Sequence, residues 1–242
     1  MTQKYLIAAE FGYNIADKHL CQGDEMQNYT VKEQDSGKKI CSLAESRLRR
    51  GICDIFYTGC GDICKIKKYA YYMLGALRYS SVISGREEEK GCNITAMFLT
   101  QASAAAYLAQ EKGKTVFFEA PRYGIRASIY PRLLEYALLL MISSGLVRRE
   151  YVNISMRLRK STAELCCDAP PPDKYGMEYA VISRAAAAHG GRFVSCGGHE
   201  AKTIFSFPLR DADAGKGEYD MSSVAEVVSD KFSPAAVILS QI

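Results

Sequence analysis

The chain reads as an α+β protein: an N-terminal antiparallel helical hairpin over residues 38–86, then an α/β sandwich over residues 93–210. Three observations predict this. Apolar residues recur every three or four positions across residues 38–57 and again across 63–83, the period of an amphipathic helix, with Gly59-Cys60-Gly61-Asp62 between them. Residues 151–159 alternate through Val152, Ile154, Met156 and Leu158, the period of a half-buried strand. Helical and strand patterns then interleave to Pro208, which predicts helices packed on one face of a mixed sheet. With 242 residues, 48% of them apolar and 24% charged, the chain is long enough for one large core or two modest ones. The net charge of +4 is too small to argue for nucleic acid.

Taken in order, residues 1–37 have no clear role. Tyr5-Leu6-Ile7-Ala8-Ala9 begins either a strand or a helix, and residues 22–38 are polar and linker-like. The first hairpin helix carries Ile40, Leu43, Ala44, Leu48, Ile52, Ile55 and Phe56 on one stripe; Asp62 N-caps the second, which carries Ile66, Ala70, Met73, Leu74 and Leu77. Such a hairpin cannot bury its stripe alone, so a homodimer through residues 38–86, closing a four-helix bundle, is expected. Residues 84–91 read as loop, 96–112 as helix, 114–119 as a strand ending at Pro121, and 128–130 as a short strand. Pro131 opens a long apolar helix to Leu146, at the first position, where proline is tolerated. Residues 163–167 pair with 151–159 as a hairpin; a helix over 176–189 and strands over 192–196 and 203–208 follow. The C-terminal extension, 211–242, reads as a polar break, a helix over 221–232 and a strand over 235–239.

Nine cysteines, none in a CxxC pair and none at zinc-finger spacing, read as reduced, mostly buried thiols of a cytoplasmic protein, given no signal peptide near the N-terminus. The apolar run 137–147 is too short to span a membrane and is broken by Ser143, Ser144 and Gly145. Only three histidines occur: His19, His189 and His199.

Residues 176–209 carry the most specific pattern. Gly176-Met177-Glu178-Tyr179 leads into an apolar helix; His189-Gly190-Gly191 stops it; a strand, the turn Glu200-Ala201-Lys202-Thr203 and a last strand to Pro208-Leu209 follow. This resembles the end of the ATP-binding domain of sensor histidine kinases, where a GLGL turn, a helix, a His-Gly-Gly stop, a GxGT turn and a strand ending near Leu-Pro occupy the same ground. The resemblance covers roughly residues 40–209; the extension lies beyond the family's usual end.

What the resemblance implies is a scaffold whose chemistry has been replaced. The family's helix motif, close to Ser-His-Glu-Leu-Arg-x-Pro-Leu, is best matched by Glu45-Ser46-Arg47-Leu48-Arg49-Arg50-Gly51-Ile52. Ser46 then stands at the phospho-acceptor position, where a hydroxyl cannot replace a neutral imidazole, and Arg47 reverses the neighbouring charge. The family's two magnesium-helix asparagines fall on Leu139 and Ser143, although residues 131–146 read equally as a plain apolar core helix; leucine offers magnesium no oxygen. Asp168 keeps the adenine-site carboxylate, but Pro170-Pro171-Pro172 replaces the glycines beside it, and only Asp173, Lys174 and Tyr175 remain of the lid. Gly176 survives in the phosphate turn, Glu178 sets a carboxylate against the phosphates, and Thr203 survives in the last turn. No catalytic residue, no metal site and no ATP or magnesium cofactor are therefore expected.

The expected function is a dimeric scaffold or regulator in a bacterial two-component pathway, with Arg47, Arg49 and Arg50 facing an acidic response-regulator receiver domain. Read without the resemblance, Ser46 and these arginines are ordinary residues of a solvated helix face. Two alternatives stand beside it: an atypical kinase retaining nucleotide through Asp168, Gly176 and Thr203, and a small-ligand sensor whose emptied pocket is lined by Leu139, Ser143 and Asp168. Neither nucleic acid nor a membrane is an expected partner.

Overall fold

The computed structural model describes residues 88–242 apart from 175, 197–200, 212–216, 232 and 241, together with Ala70, Met73, Gly75 and Leu77, which are helical. The N-terminal segment, the rest of the hairpin with Ser46, Arg47, Arg49 and Arg50, and the expected dimer interface lie outside the described residues.

The sheet is built from strands whose side chains alternate between core and solvent. Val152, Ile154 and Met156 of β4 (Tyr151–Arg159), Ala163, Leu165 and Cys167 of β5 (Thr162–Cys167), and Thr203, Phe205 and Phe207 of β7 (Lys202–Pro208) all point inward. With β2 (Thr115–Glu119) and β6 (Arg192–Cys196) at the edges, the order is β2-β4-β5-β7-β6; β2 runs parallel to β4 and every other pair is antiparallel. A separate two-stranded ladder joins β1 (Lys90–Asn93) to β3 (Arg126–Ile129). β1 corrects the expectation of a loop over 84–91. Four residues that include a glycine and follow a charged run carry no strand period, and the strand exists because β3 supplies its hydrogen-bond partners.

Three helices cover the inner face. α1 (Ile94–Gln110) starts where the Asn93 side chain accepts the Ala96 N–H at 3.1 Å. α2 (Pro131–Leu146) begins with Pro131 in its first turn and is apolar almost all round, as a helix covered on several sides must be. Gly145 lets it lie against the sheet, since a Cβ there would stand 2.6 Å from Val152 Cγ1 and 2.8 Å from Ala169 Cβ. The end of α2 is closed by Lys114, whose ammonium donates to Leu146 O at 3.0 Å and Arg149 O at 3.1 Å.

α3 (Met177–Ala188) ends on His189, which is buried and joins three elements. Its Nδ1 lies 2.7 Å from Ala185 O and its Nε2 accepts the Tyr130 N–H at 3.2 Å, an arrangement that suits a neutral ring protonated at Nδ1. Its ring also packs against Tyr130, Phe205 and Phe207. Burial holds its pKa below the usual imidazole value, against the opposing pull of the Ala185 carbonyl. Gly190 takes a φ of +71°, and a Cβ on Gly191 would stand 1.8 Å from Ser206 O.

The C-terminal extension folds back over these helices. Gly91 N–H donates to Gly217 O at 3.2 Å and Tyr219 N–H to Gly91 O at 2.9 Å, so the extension starts as a short parallel bridge beside β1. α4 (Val224–Ser229) has a complete Ser223/Glu226 capping box, and α5 (Pro234–Leu239) is capped by Ser233, which accepts the Ala236 N–H at 3.1 Å. α4 is shorter than the expected helix over 221–232. α5 replaces the expected strand over 235–239: five apolar residues in a row do not distinguish the two, and a capping serine followed by proline starts a helix.

Cys92 and Cys167 are buried free thiols, and burial pushes both pKa values up to about 12. Among the described residues no helix is long and apolar enough to cross a membrane.

Candidate functional site

The site residues expected from sequence sit on four elements, and the structure does not gather them around one open cavity. Leu139 is fully buried in the middle of α2. Ser143, one turn further on, is also buried, and its hydroxyl donates to Ile238 O of α5 at 3.4 Å. The face of α2 that carries these two residues is thus met by the chain's own C-terminal helix. Nearer the start of α2, Tyr136 is buried against the helical segment around Gly75, where a Cβ would stand 2.4 Å from the tyrosine ring.

Asp168 directly follows β5, and its carboxylate is already committed. It accepts the Asn153 backbone N–H at 2.6 Å and is also bonded by the Asn153 side-chain amide. It lines a groove of about 460 Å³ on the outer face of the sheet, beside Phe117, Asn153, Arg157, Cys166 and Lys202. Leu139 and Ser143 do not line this groove. Leu139 and Ser143 thus lie in the core, while Asp168 lies at the groove. Sequence reasoning missed the outer-face groove. The alternation of β4 and β5 was the available signal, because it assigns Asn153, Arg157 and Cys166 to the same outward face.

The loop from Asp168 to Gly176 is held from both sides. Ala169 and Pro172 are buried, while the Arg149 guanidinium donates to Asp168 O and that of Arg148 to Pro171 O. These two arginines follow directly on α2, so the helix end and the proline loop are tied together. Gly176 is the N-cap of α3 in an extended conformation, and its N–H donates to Asp173 O at 2.7 Å. Glu178 is the acidic residue of the first turn of α3, where a carboxylate complements the helix dipole. A Cβ on Gly176 would stand 3.3 Å from Glu178 Oε2, so the carboxylate curls back over the helix start. Thr203 is buried in β7 opposite Cys167 and donates to its carbonyl at 3.4 Å. Each of these groups is satisfied from within the protein. Among the described residues no cluster of His, Cys, Asp or Glu is arranged to hold a metal ion.

Comparison with known proteins finds likeness in three dimensions only: no family model and no curated protein matches the sequence. The histidine kinase AdeS of Acinetobacter baumannii superposes with a TM-score of 0.51 at 12% identity, covering 69% of this chain and 96% of that one. A histidine kinase from Burkholderia phymatum STM815 gives 0.48 at 12% identity, over 78% of this chain and all of that one. The ATP-binding domain of PrrB from Mycobacterium tuberculosis gives 0.43 at 16% identity, over 51% of this chain and 98% of that one. At such identities the likeness is one of fold. The described domain has an α+β fold whose mixed sheet and covering helices resemble the histidine kinase ATP-binding domain.

Proposed function

We propose that this chain is a histidine-kinase-like signalling protein of a bacterial two-component pathway that no longer binds ATP and acts as a dimeric scaffold or regulator. The observation that carries the reading is the seat of α5: the α2 face expected to present magnesium ligands presents Leu139, fully buried, and Ser143, bonded to Ile238 O. The proline loop, short and clamped by Arg148 and Arg149, supports it, as does an Asp168 carboxylate turned toward Asn153. Magnesium needs several oxygen ligands in an octahedral shell; Leu139 offers none, and the Ser143 hydroxyl and Asp168 carboxylate are already hydrogen-bonded within the protein. Dimerisation through residues 38–86 and docking of an acidic receiver domain on Arg47, Arg49 and Arg50 complete the proposal.

Isothermal titration of the full chain with ATP and magnesium tests the first half. No heat is expected at micromolar nucleotide, and a saturable heat would overturn the reading. Arg49→Glu tests the second half: affinity for the cognate receiver domain should fall about tenfold, the effect of roughly 1.4 kcal/mol at a charged interface. Unchanged affinity would remove the docking surface.

A further inference from the structure

We infer that the groove between α1 and α2 is a helix-binding site, and that the chain's own C-terminus, residues 217–242, is a detachable ligand held in it. This goes beyond the proposed loss of ATP binding, because it concerns what fills the groove and whether it can leave.

The tail consists of two six-residue helices, far below the length at which a helix is stable alone in water. Its order depends on what it touches. α4 is largely exposed and buries Val227 alone, so the main anchor is α5, which packs on both α1 and α2. Ala235, Ile238 and Leu239 are buried at the i, i+3, i+4 spacing of one helical stripe, with Val237 beside them. This is the pattern by which a short amphipathic helix is recognised by an apolar groove. Ser233 caps that helix and is itself buried, so the start of the binding segment is defined as well as its stripe.

A polar latch stands at the tail's entry. The Tyr219 hydroxyl donates to Glu135 Oε2 on α2 at 3.2 Å, and Gln101 Nε2 on α1 donates to Glu135 Oε1 at 3.2 Å. One carboxylate thus joins both groove walls to the tail, and the Arg126–Glu218 pair at 2.6 Å and the Gly91 bridge lie next to it. Apolar anchor and polar latch are separate in sequence, so each can be weakened without the other. α4, with Val227 as its one buried residue, is the part of the tail with few buried contacts, the kind of element that occupies the low end of local stability.

The test uses the full chain with a protease site inserted within residues 212–216. After cleavage, a fluorescein-labelled synthetic peptide spanning residues 217–242 is added and followed by anisotropy. Saturable uptake is expected by the cut chain, at least tenfold weaker uptake by the uncut chain, and at least tenfold weaker binding of a peptide carrying Ile238→Asp. Equal uptake of both peptides, or none of the native one, overturns the inference. Hydrogen exchange of the uncut Tyr219→Phe chain keeps it testable should the cut chain fail to fold. Faster exchange at residues 233–239 with residues 151–167 unchanged is expected; acceleration of both together would make the tail part of the global core and overturn it. Titrating the cut chain with ATP and magnesium separates the two readings. Nucleotide binding there would sink the proposed loss of ATP binding and leave the helix site standing, whereas failed peptide exchange would do the reverse.

Discussion

The two ends of α3 were built under different constraints. At its C-terminal end, His189-Gly190-Gly191 meets demands that are purely geometric: a ring bridging Ala185 O and the Tyr130 N–H, a left-handed backbone angle, and a backbone pressed against Ser206 O. At its N-terminal end, the loop from Asp168 to Gly176 meets demands that are chemical, and the chain meets them with its own groups: Asn153 on the carboxylate, Arg148 and Arg149 on the carbonyls, Glu178 over the helix start. A steric demand admits one residue type, whereas a demand for a hydrogen-bond partner or a counter-charge can be met from many directions. Corners set by steric demands are therefore easier to read in a sequence than turns set by hydrogen-bond partners.

The strongest blow to this contrast falls on the corner. Gly191→Ala places a methyl 1.8 Å from Ser206 O, in backbone that has nowhere to go. A loss of about 4 kcal/mol or more in urea unfolding is expected, or no folded chain at all. A variant of near-native stability would show that the corner adapts as freely as the loop does.

The proposed loss of ATP binding is probed next by Leu139→Asn, which sets an amide at a fully buried position. Losing the leucine's packing and burying an amide should cost about 3 kcal/mol, without creating nucleotide affinity. ATP binding gained at little cost in stability would mean the groove opens more easily than the packing of α5 implies.

The finest distinction comes from pH. Burial lowers the His189 pKa from its ordinary 6.5, so the unfolded chain binds a proton more readily than the folded one. The His189 contribution is whole above about 6.5 and is lost as the pH falls below that value and through the lowered folded pKa. Glu89 pulls the other way and Arg210 reinforces the shift. A plot of unfolding free energy against pH should show this acid-side slope in the parent and a flatter one in His189→Gln. Superimposable slopes would remove histidine from the corner's energetics.

Much of the central sheet was readable in the sequence because strands buried on one face must alternate. Val152, Ile154 and Met156 announced β4, and Pro131 announced the start of α2. β1 was not readable, since Lys90-Gly91-Cys92-Asn93 has no period and is a strand only through β3. For α5 the local signal is Ser233-Pro234, a cap and a first-turn proline, which decides for a helix over the apolar run that follows. Its docking was beyond reach, because nothing in residues 233–242 names the groove 95 positions earlier where Ser143 meets Ile238. The same holds for the site. Leu139 and Glu178 can be read off the sequence, but the turning of Asp168 toward Asn153 is a tertiary fact.

Lys114 has a bearing on solubility. β2 is an edge strand, and Phe117 and Phe118 are both exposed on it. Thr115-Val116-Phe117-Phe118-Glu119 combines aromatic and β-branched side chains on a ladder that is open among the described residues, the composition that invites neighbouring molecules to add strands. The ammonium just before it, fastened to Leu146 O and Arg149 O, pins the chain where the strand begins. Were that pin drawn, the first symptom would be turbidity in concentrated solution, while the circular dichroism of the dilute protein stayed unchanged.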